Sequence, residues 1–230
     1  MSAGVERIDD TRATPAVRGF LHRPAQPSPS HDAVVLTHGA GSDCNAPLLI
    51  ALAEAFADVG WVVLRCDLPY RQARPHGPPR GSGAEDREGL RRAVEVLREH
   101  TGGCIFLGGA SYGGRQATML AAEDQKVCAG LLVLSYPLHP PGKPEQLRTK
   151  HLPLIRVPAL FVSGAKDPFG SPAEIEKALK LIPVPAAFLM IEGAGHDLGF
   201  GRRARSKNSA PGNNDDLPRR IVTAFRGIVE

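Results

Sequence analysis

Three residues far apart in the chain have the types that acyl-transfer chemistry needs: Ser111, Asp167 and His196. A serine hydroxyl is a poor nucleophile near neutral pH and needs an imidazole to take its proton. The imidazole in turn needs a carboxylate to hold its tautomer and orientation. Ser111 lies in Gly109-Ala110-Ser111-Tyr112-Gly113, directly after the apolar run Cys104-Ile105-Phe106-Leu107 and ahead of a helical segment beginning near Arg115. A Gly-x-Ser-x-Gly motif between a buried strand and a helix is the setting of a nucleophile elbow, a sharp turn that lifts the serine above the strand end. Taken alone, the motif also fits a glycine-rich turn whose serine bonds its own backbone. The order of the acid and the histidine later in the chain favours the chemical reading. Asp167 stands in Ser163-Gly164-Ala165-Lys166-Asp167-Pro168 and His196 in Glu192-Gly193-Ala194-Gly195-His196-Asp197, each just past a later strand. Singly, Asp167 reads as a turn carboxylate before Ser171-Pro172 and His196 as a loop histidine; both falling at the required places is the stronger observation.

An oxyanion at the attacked carbonyl needs two N–H donors. The expected pair is Tyr112, the amide after the nucleophile, and Ala40 in the loop Thr37-His38-Gly39-Ala40-Gly41-Ser42, with Gly41 second to Ala40. His38 directly follows its strand and is read as structural. The same loop admits a dinucleotide turn, Gly39-x-Gly41, with Asp67 as the ribose acid. Cys44 then stands where glycine or alanine is needed, and the order Ser111, Asp167, His196 goes unexplained. Asp67 is read instead as a strand-end turn residue and Tyr70 as a cleft-lining aromatic.

These residues must be positioned by an α/β frame. Nearly uniform apolar runs at Ala33 to Thr37, Trp61 to Arg65, Cys104 to Leu107, Leu131 to Ser135, Pro158 to Val162 and Ala187 to Ile191 suit parallel strands covered on both faces. Between them lie stripes of helical period: Leu48, Leu52, Ala55, Phe56, Val59; Leu90, Val94, Leu97; Ile175, Ala178, Leu179, Ile182; and Leu217, Ile221, Ala224, Phe225, Ile228. Asn45 and Asp216 suit N-caps, and Gly60 suits the position just past a helix. Residues 1–32 are expected to supply an amino-terminal hairpin around Glu6 to Ile8 and Ala16 to His22. Residues 69–83 and 199–216 read as long basic loops on a single domain spanning 1–230. Both loops leave the carboxyl ends of strands, where open α/β sheets bind ligands. Solvated surface is their plainer reading; the other makes Arg71, Arg74 and Arg80, with Arg202, Arg203 and Arg205, a border that attracts an anionic acyl substrate, and adds Tyr70, Arg71 and Arg74 to the candidate substrate contacts.

The chain has 230 residues, 42% of them hydrophobic and 23% charged, which suits one core and excludes wholesale disorder. A net charge of +4 is too small to imply nucleic acid. No apolar run approaches a membrane span, and the first residues, Met1 to Arg7, are polar where a signal peptide is apolar. Cys44, Cys66, Cys104 and Cys128 form no metal-binding or disulfide pattern and read as buried thiols of a cytoplasmic protein.

Several motifs together resemble a known family, the short serine α/β hydrolases related to dienelactone hydrolase. They are similar above all to a branch containing a testis-expressed protein and a subunit of the non-specific-lethal histone acetyltransferase complex. The marks are Leu36 to Gly41, Asp67-Leu68-Pro69-Tyr70-Arg71, Leu107 to Arg115, Leu134 to Pro141, Phe161-Val162-Ser163-Gly164 and Gly195-His196. The resemblance implies an α/β-hydrolase fold, a mostly parallel sheet with helices on both faces and no lid domain, with Ser111, Asp167 and His196 at the triad positions. Dienelactone hydrolase carries a cysteine nucleophile where Ser111 stands, and the closer branch commonly has arginine at Ala110 and methionine at Tyr112, so substrate specificity is not carried over. The expected activity is cleavage of an ester, thioester or related acyl bond of a small molecule through an acyl-enzyme, with no metal or organic cofactor implied and no nucleic-acid or membrane partner. The alternative is a binding or scaffold protein that keeps the fold without turnover.

Overall fold

The computed structural model describes residues 4–201 and 216–230. Their strands form one eight-stranded sheet in the order β1-β2-β4-β3-β5-β6-β7-β8. The strands are β1 (Gly4–Asp10), β2 (Val17–Arg23), β3 (Ala33–Thr37), β4 (Val62–Cys66), β5 (Ile105–Ala110), β6 (Leu131–Leu134), β7 (Ala159–Gly164) and β8 (Ala186–Ile191). The first pair is the expected hairpin, antiparallel, with β2 also antiparallel to β4; every pairing from β4 to β8 is parallel. In the parallel part all carboxyl ends therefore reach one edge.

Alternation along each central strand sends side chains to two cores. Val35, Leu107, Val133 and Phe161 face α3 (Ala84–Arg98), α4 (Tyr112–Glu123) and α5 (Pro172–Leu179). Leu36, Phe106, Leu134 and Val162 face α1 (Pro47–Asp58) and α6 (Leu217–Val229). The second core holds an aromatic cluster in which Trp61 stacks on Phe106 with centroids 4.9 Å apart and Phe225 meets both rings edge-on. Two parallel faces, each sealed by helices, are why the strands read as unbroken apolar runs.

Two local expectations are corrected. The 69–83 segment is not loop throughout: Pro69–Ala73 forms a helix, α2, with Pro69 in its first turn, where a missing N–H costs nothing. At the start of α1 the cap is Ala46, one residue past Asn45, whose Oδ1 instead accepts from Arg65 Nη1 at 3.2 Å. Of the 199–216 segment, Arg202, Arg203 and Arg205 lie outside the described residues. Among the described residues no helix is long and apolar enough to cross a membrane.

A buried histidine makes stability depend on pH. His22 is 3% exposed on β2, and its Nε2 accepts from Arg65 Nε–H at 2.8 Å. Burial, then the adjacent guanidinium, hold its pKa down to about 4 from 6.5. The folded chain keeps this ring neutral while the unfolded chain protonates it, so the stabilisation is full above pH 6.5 and is lost as pH falls toward 4. Urea midpoints at pH 7 and pH 5 should show lower stability at pH 5, and His22→Gln, which keeps an acceptor that does not titrate, should narrow the difference.

Candidate active site

β5 ends at Ala110, and the chain turns so sharply into α4 that Ser111 adopts φ 49° and ψ −112°, a conformation seldom populated by non-glycine residues. The turn holds because strand and helix nearly touch. A Cβ on Gly109 would stand 2.6 Å from the Gly114 nitrogen, and one on Gly113 2.5 Å from the His38 oxygen, so both motif positions exclude a side chain. Asp167 follows β7 by three residues and His196 follows β8 by five. The parallel edge brings all three together.

The His196 ring lies between the other two. Asp167 Oδ2 and Oδ1 lie 2.8 and 3.0 Å from Nδ1, and Ser111 Oγ lies 2.8 Å from Nε2. An ionised carboxylate only accepts, so Nδ1 carries the proton and donates to Asp167, and Nε2 is left to accept from Ser111 Oγ–H. Asp167 is 6% exposed, and its Oδ1 also accepts from the Phe169 amide at 2.9 Å, which fixes the carboxylate plane. Phe169 packs its ring on the imidazole with centroids 4.2 Å apart. Sequence reading passed over Phe169; its one signal was a position two residues after the candidate acid.

Asp67 and Asp197, two other carboxylates that follow strands, are engaged elsewhere. Asp67 Oδ1 accepts from the Cys44 amide at 2.7 Å, and Asp197 Oδ1 from the Gly199 amide at 3.0 Å. His38 has a structural place: it is fully buried, Nδ1–H donates to Gly39 O at 2.9 Å, and Nε2 accepts from Leu68 N–H at 3.1 Å. Burial lowers its pKa, in keeping with that neutral tautomer.

An open cleft of about 610 Å³ lies over Ser111 and His196, walled by Gly39, Gly41, Leu48, Ser135 and Phe200 among others. Ser135 was missed as a site residue although it was placed at a strand end. It has φ 50°, is 2% exposed, and its Oγ has no partner among the described residues. The signal was its place at the end of β6, the strand beside β5. Tyr70, Arg71 and Arg74, expected as substrate contacts, do not line this cleft. Tyr70 is buried, with its hydroxyl 3.1 Å from both Gly39 O and Ala40 O. Arg71 is buried with its guanidinium on backbone carbonyls, and Arg74 Nη2 donates to Pro78 O at 3.1 Å. The polar groups of Tyr70 and Arg71 are consumed by the protein's own backbone, while Arg74 is half-buried and held to it by one bond.

Of the two expected oxyanion donors, Tyr112 directly follows Ser111 and Ala40 directly follows Gly39. Tyr112 is the first residue of α4, so helix geometry leaves its N–H without an intrahelical acceptor. Gly39 stands against the nucleophile, an added Cβ falling 3.4 Å from Ser111 Cβ. The Gly39 carbonyl faces Tyr70 and His38, so in a planar trans peptide the Ala40 N–H points the opposite way.

Residues 30–224 match the family described as the alpha/beta hydrolase domain. The chain belongs to the α/β-hydrolase family. The same fold is found in dienelactone hydrolase from Anabaena variabilis, at TM-score 0.76 and 20% identity with 100% of each chain covered. It is found again in Est1E from Butyrivibrio proteoclasticus, at TM-score 0.69 and 14% identity over 97% of this chain and 99% of that one. A curated relative, the polyketide synthase ThaQ of Burkholderia thailandensis, is 32% identical over 130 residues, which are 54% of this chain and 6% of that protein. This α/β-hydrolase chain thus corresponds to a small part of that synthase.

Proposed function

We propose that this α/β hydrolase is a serine hydrolase that cleaves an ester, thioester or related acyl bond of a small molecule through an acyl-enzyme on Ser111. The observation that carries the reading is the continuous hydrogen-bonded line Asp167–His196–Ser111, with 2.8 Å at each junction. Ser111 Oγ attacks the acyl carbonyl while its proton passes to His196 Nε2. Asp167 stabilises the resulting imidazolium without taking the proton. The N–H groups of Tyr112 and Ala40 receive the oxyanion. Collapse expels the leaving group, protonated by His196, and water then repeats the sequence on the acyl-serine.

We also assign the chain to the branch with the testis-expressed protein, on Asp67-Leu68-Pro69-Tyr70-Arg71 and Leu134 to Pro141, and to the cytoplasm, a setting that suits four free thiols. Reaction with a nitrophenyl acetate tests the mechanism: an acyl-enzyme releases a burst of about one nitrophenol per chain when deacylation is the slower step. Two esters of one acid with different leaving groups should also divide their acyl group between water and added methanol in the same ratio, because a common acyl-serine has lost its leaving group. A ratio that changes with the leaving group would contradict the mechanism. Because Arg74 does not line the cleft, Arg74→Ala should leave the ratio of KM for an anionic ester to KM for a neutral one at its wild-type value in steady-state assays.

A further inference from the structure

Beside the loop that carries Ala40, the short helix α2 places a buried cation with no acidic partner within ion-pair distance among the described residues. Arg71 is 8% exposed, and burying a guanidinium without a carboxylate is costly unless its donors are all used. They are. Nε–H donates to Ser42 O at 2.8 Å, Nη1 to Pro75 O at 2.7 Å and Arg74 O at 3.4 Å, and Nη2 to Ala40 O at 2.9 Å and Gly77 O at 3.4 Å. Five donors meet five carbonyls, two of them in the 40–42 loop.

The neighbouring residue completes the arrangement. Tyr70 OH sits between the Gly39 and Ala40 carbonyls, while Tyr70 N–H donates to Asp86 Oδ1 at 3.0 Å. The other Asp86 oxygen accepts from Tyr112 OH at 2.6 Å, and the carboxylate is 3% exposed. The Tyr70 and Tyr112 rings meet edge-on with centroids 5.6 Å apart. Peptides are planar, so holding the Gly39 and Ala40 carbonyls toward α2 turns the N–H groups of Ala40 and Gly41 away from it. One network thus fixes the loop on one side of Ser111 and, through Asp86, the residue that bears the other donor.

We propose that Arg71 is a positioning residue for the oxyanion hole, acting through the Ala40 and Ser42 carbonyls rather than on substrate. This rests on the hydrolase reading above. Lysine keeps the charge but cannot form the fork. Arg71→Lys should therefore lower kcat by roughly 10- to 100-fold per active site titrated with a fluorophosphonate, with KM within about threefold of wild type and an unaltered pH profile, since displacing an oxyanion donor weakens only the transition state. Inhibition by a trifluoromethyl ketone should weaken by the same factor as kcat/KM. Tyr70→Phe, which keeps the ring and removes the hydroxyl, should give a smaller loss of the same kind.

Hydrogen exchange at the Ser42 amide, which donates to Gly39 O at 3.2 Å, provides a readout independent of turnover. It should speed up by about 10-fold or more in Arg71→Lys, as local opening becomes easier. Wild-type kcat per titrated site, a rise in KM alone, or unchanged Ser42 exchange would each overturn the positioning role. A wild-type chain inert to esters and to the fluorophosphonate would overturn the hydrolase reading instead, and Ser42 exchange would then judge the brace alone.

Discussion

Ser111→Ala is expected to reduce kcat for a nitrophenyl ester by roughly 10⁵- to 10⁶-fold, because no other step of the mechanism proceeds without the nucleophile. Stability should barely change. The hydroxyl's hydrogen bond is to His196 Nε2, and alanine keeps the Cβ that packs beside Gly39. Thermal melting therefore separates this outcome from unfolding: a melting temperature near wild type with lost turnover supports the mechanism. Turnover at the wild-type rate removes Ser111 from it.

The second large effect is expected at the base and its carboxylate. His196→Ala should be about as damaging as loss of the serine, since the three residues act as a unit and their losses do not add. Asp167→Asn should lower kcat by up to roughly 10⁴-fold. An asparagine can turn its N–H₂ toward Nδ1, which stabilises the tautomer with its proton on Nε2, the wrong nitrogen for accepting from Ser111. Asp67→Asn and Asp197→Asn serve as controls, because those carboxylates accept from the Cys44 and Gly199 amides rather than from the imidazole. Steady-state kinetics on the three asparagine variants checks the ranking. A larger loss from either control than from Asp167→Asn would move the acid to that position.

The parts of this site that the sequence made legible are those set by strand topology. Ser111, Asp167 and His196 could be read because each sits just past an apolar run, buried in β5 and β7 and only half-buried in the edge strand β8, and parallel strands deliver such positions to one edge whatever the loops do. The frame was legible for a related reason. Strands sealed on both faces are apolar throughout, and α6 carries its stripe of Leu217, Ile221 and Phe225 at helical spacing. What stayed hidden depends on contacts between segments distant in the chain. Pro69, Arg71 and Arg74 look like loop by composition, yet Arg71 is buried because carbonyls from residues 40 and 42 meet its fork, a relation with no local signature. The same holds for Tyr70, whose aromatic character suggested a cleft wall while its hydroxyl is held by the loop carbonyls. Ser135 and Phe169 were passed over because Ser135 stands in the family mark Leu134 to Pro141 without a chemical role there and Phe169 stands in none; their parts in the site come from the strand beside β5 and from stacking on His196.

Covalent labelling tests the central claim most directly. The wild-type chain would be incubated with a fluorophosphonate near neutral pH, its intact mass measured, and the modified peptide sequenced by mass spectrometry. Activation of Ser111 by His196 predicts a single adduct per chain, located on Ser111, absent from Ser111→Ala and strongly slowed in His196→Ala. An unlabelled chain, or an adduct on another residue with Ser111 unmodified, would contradict the account.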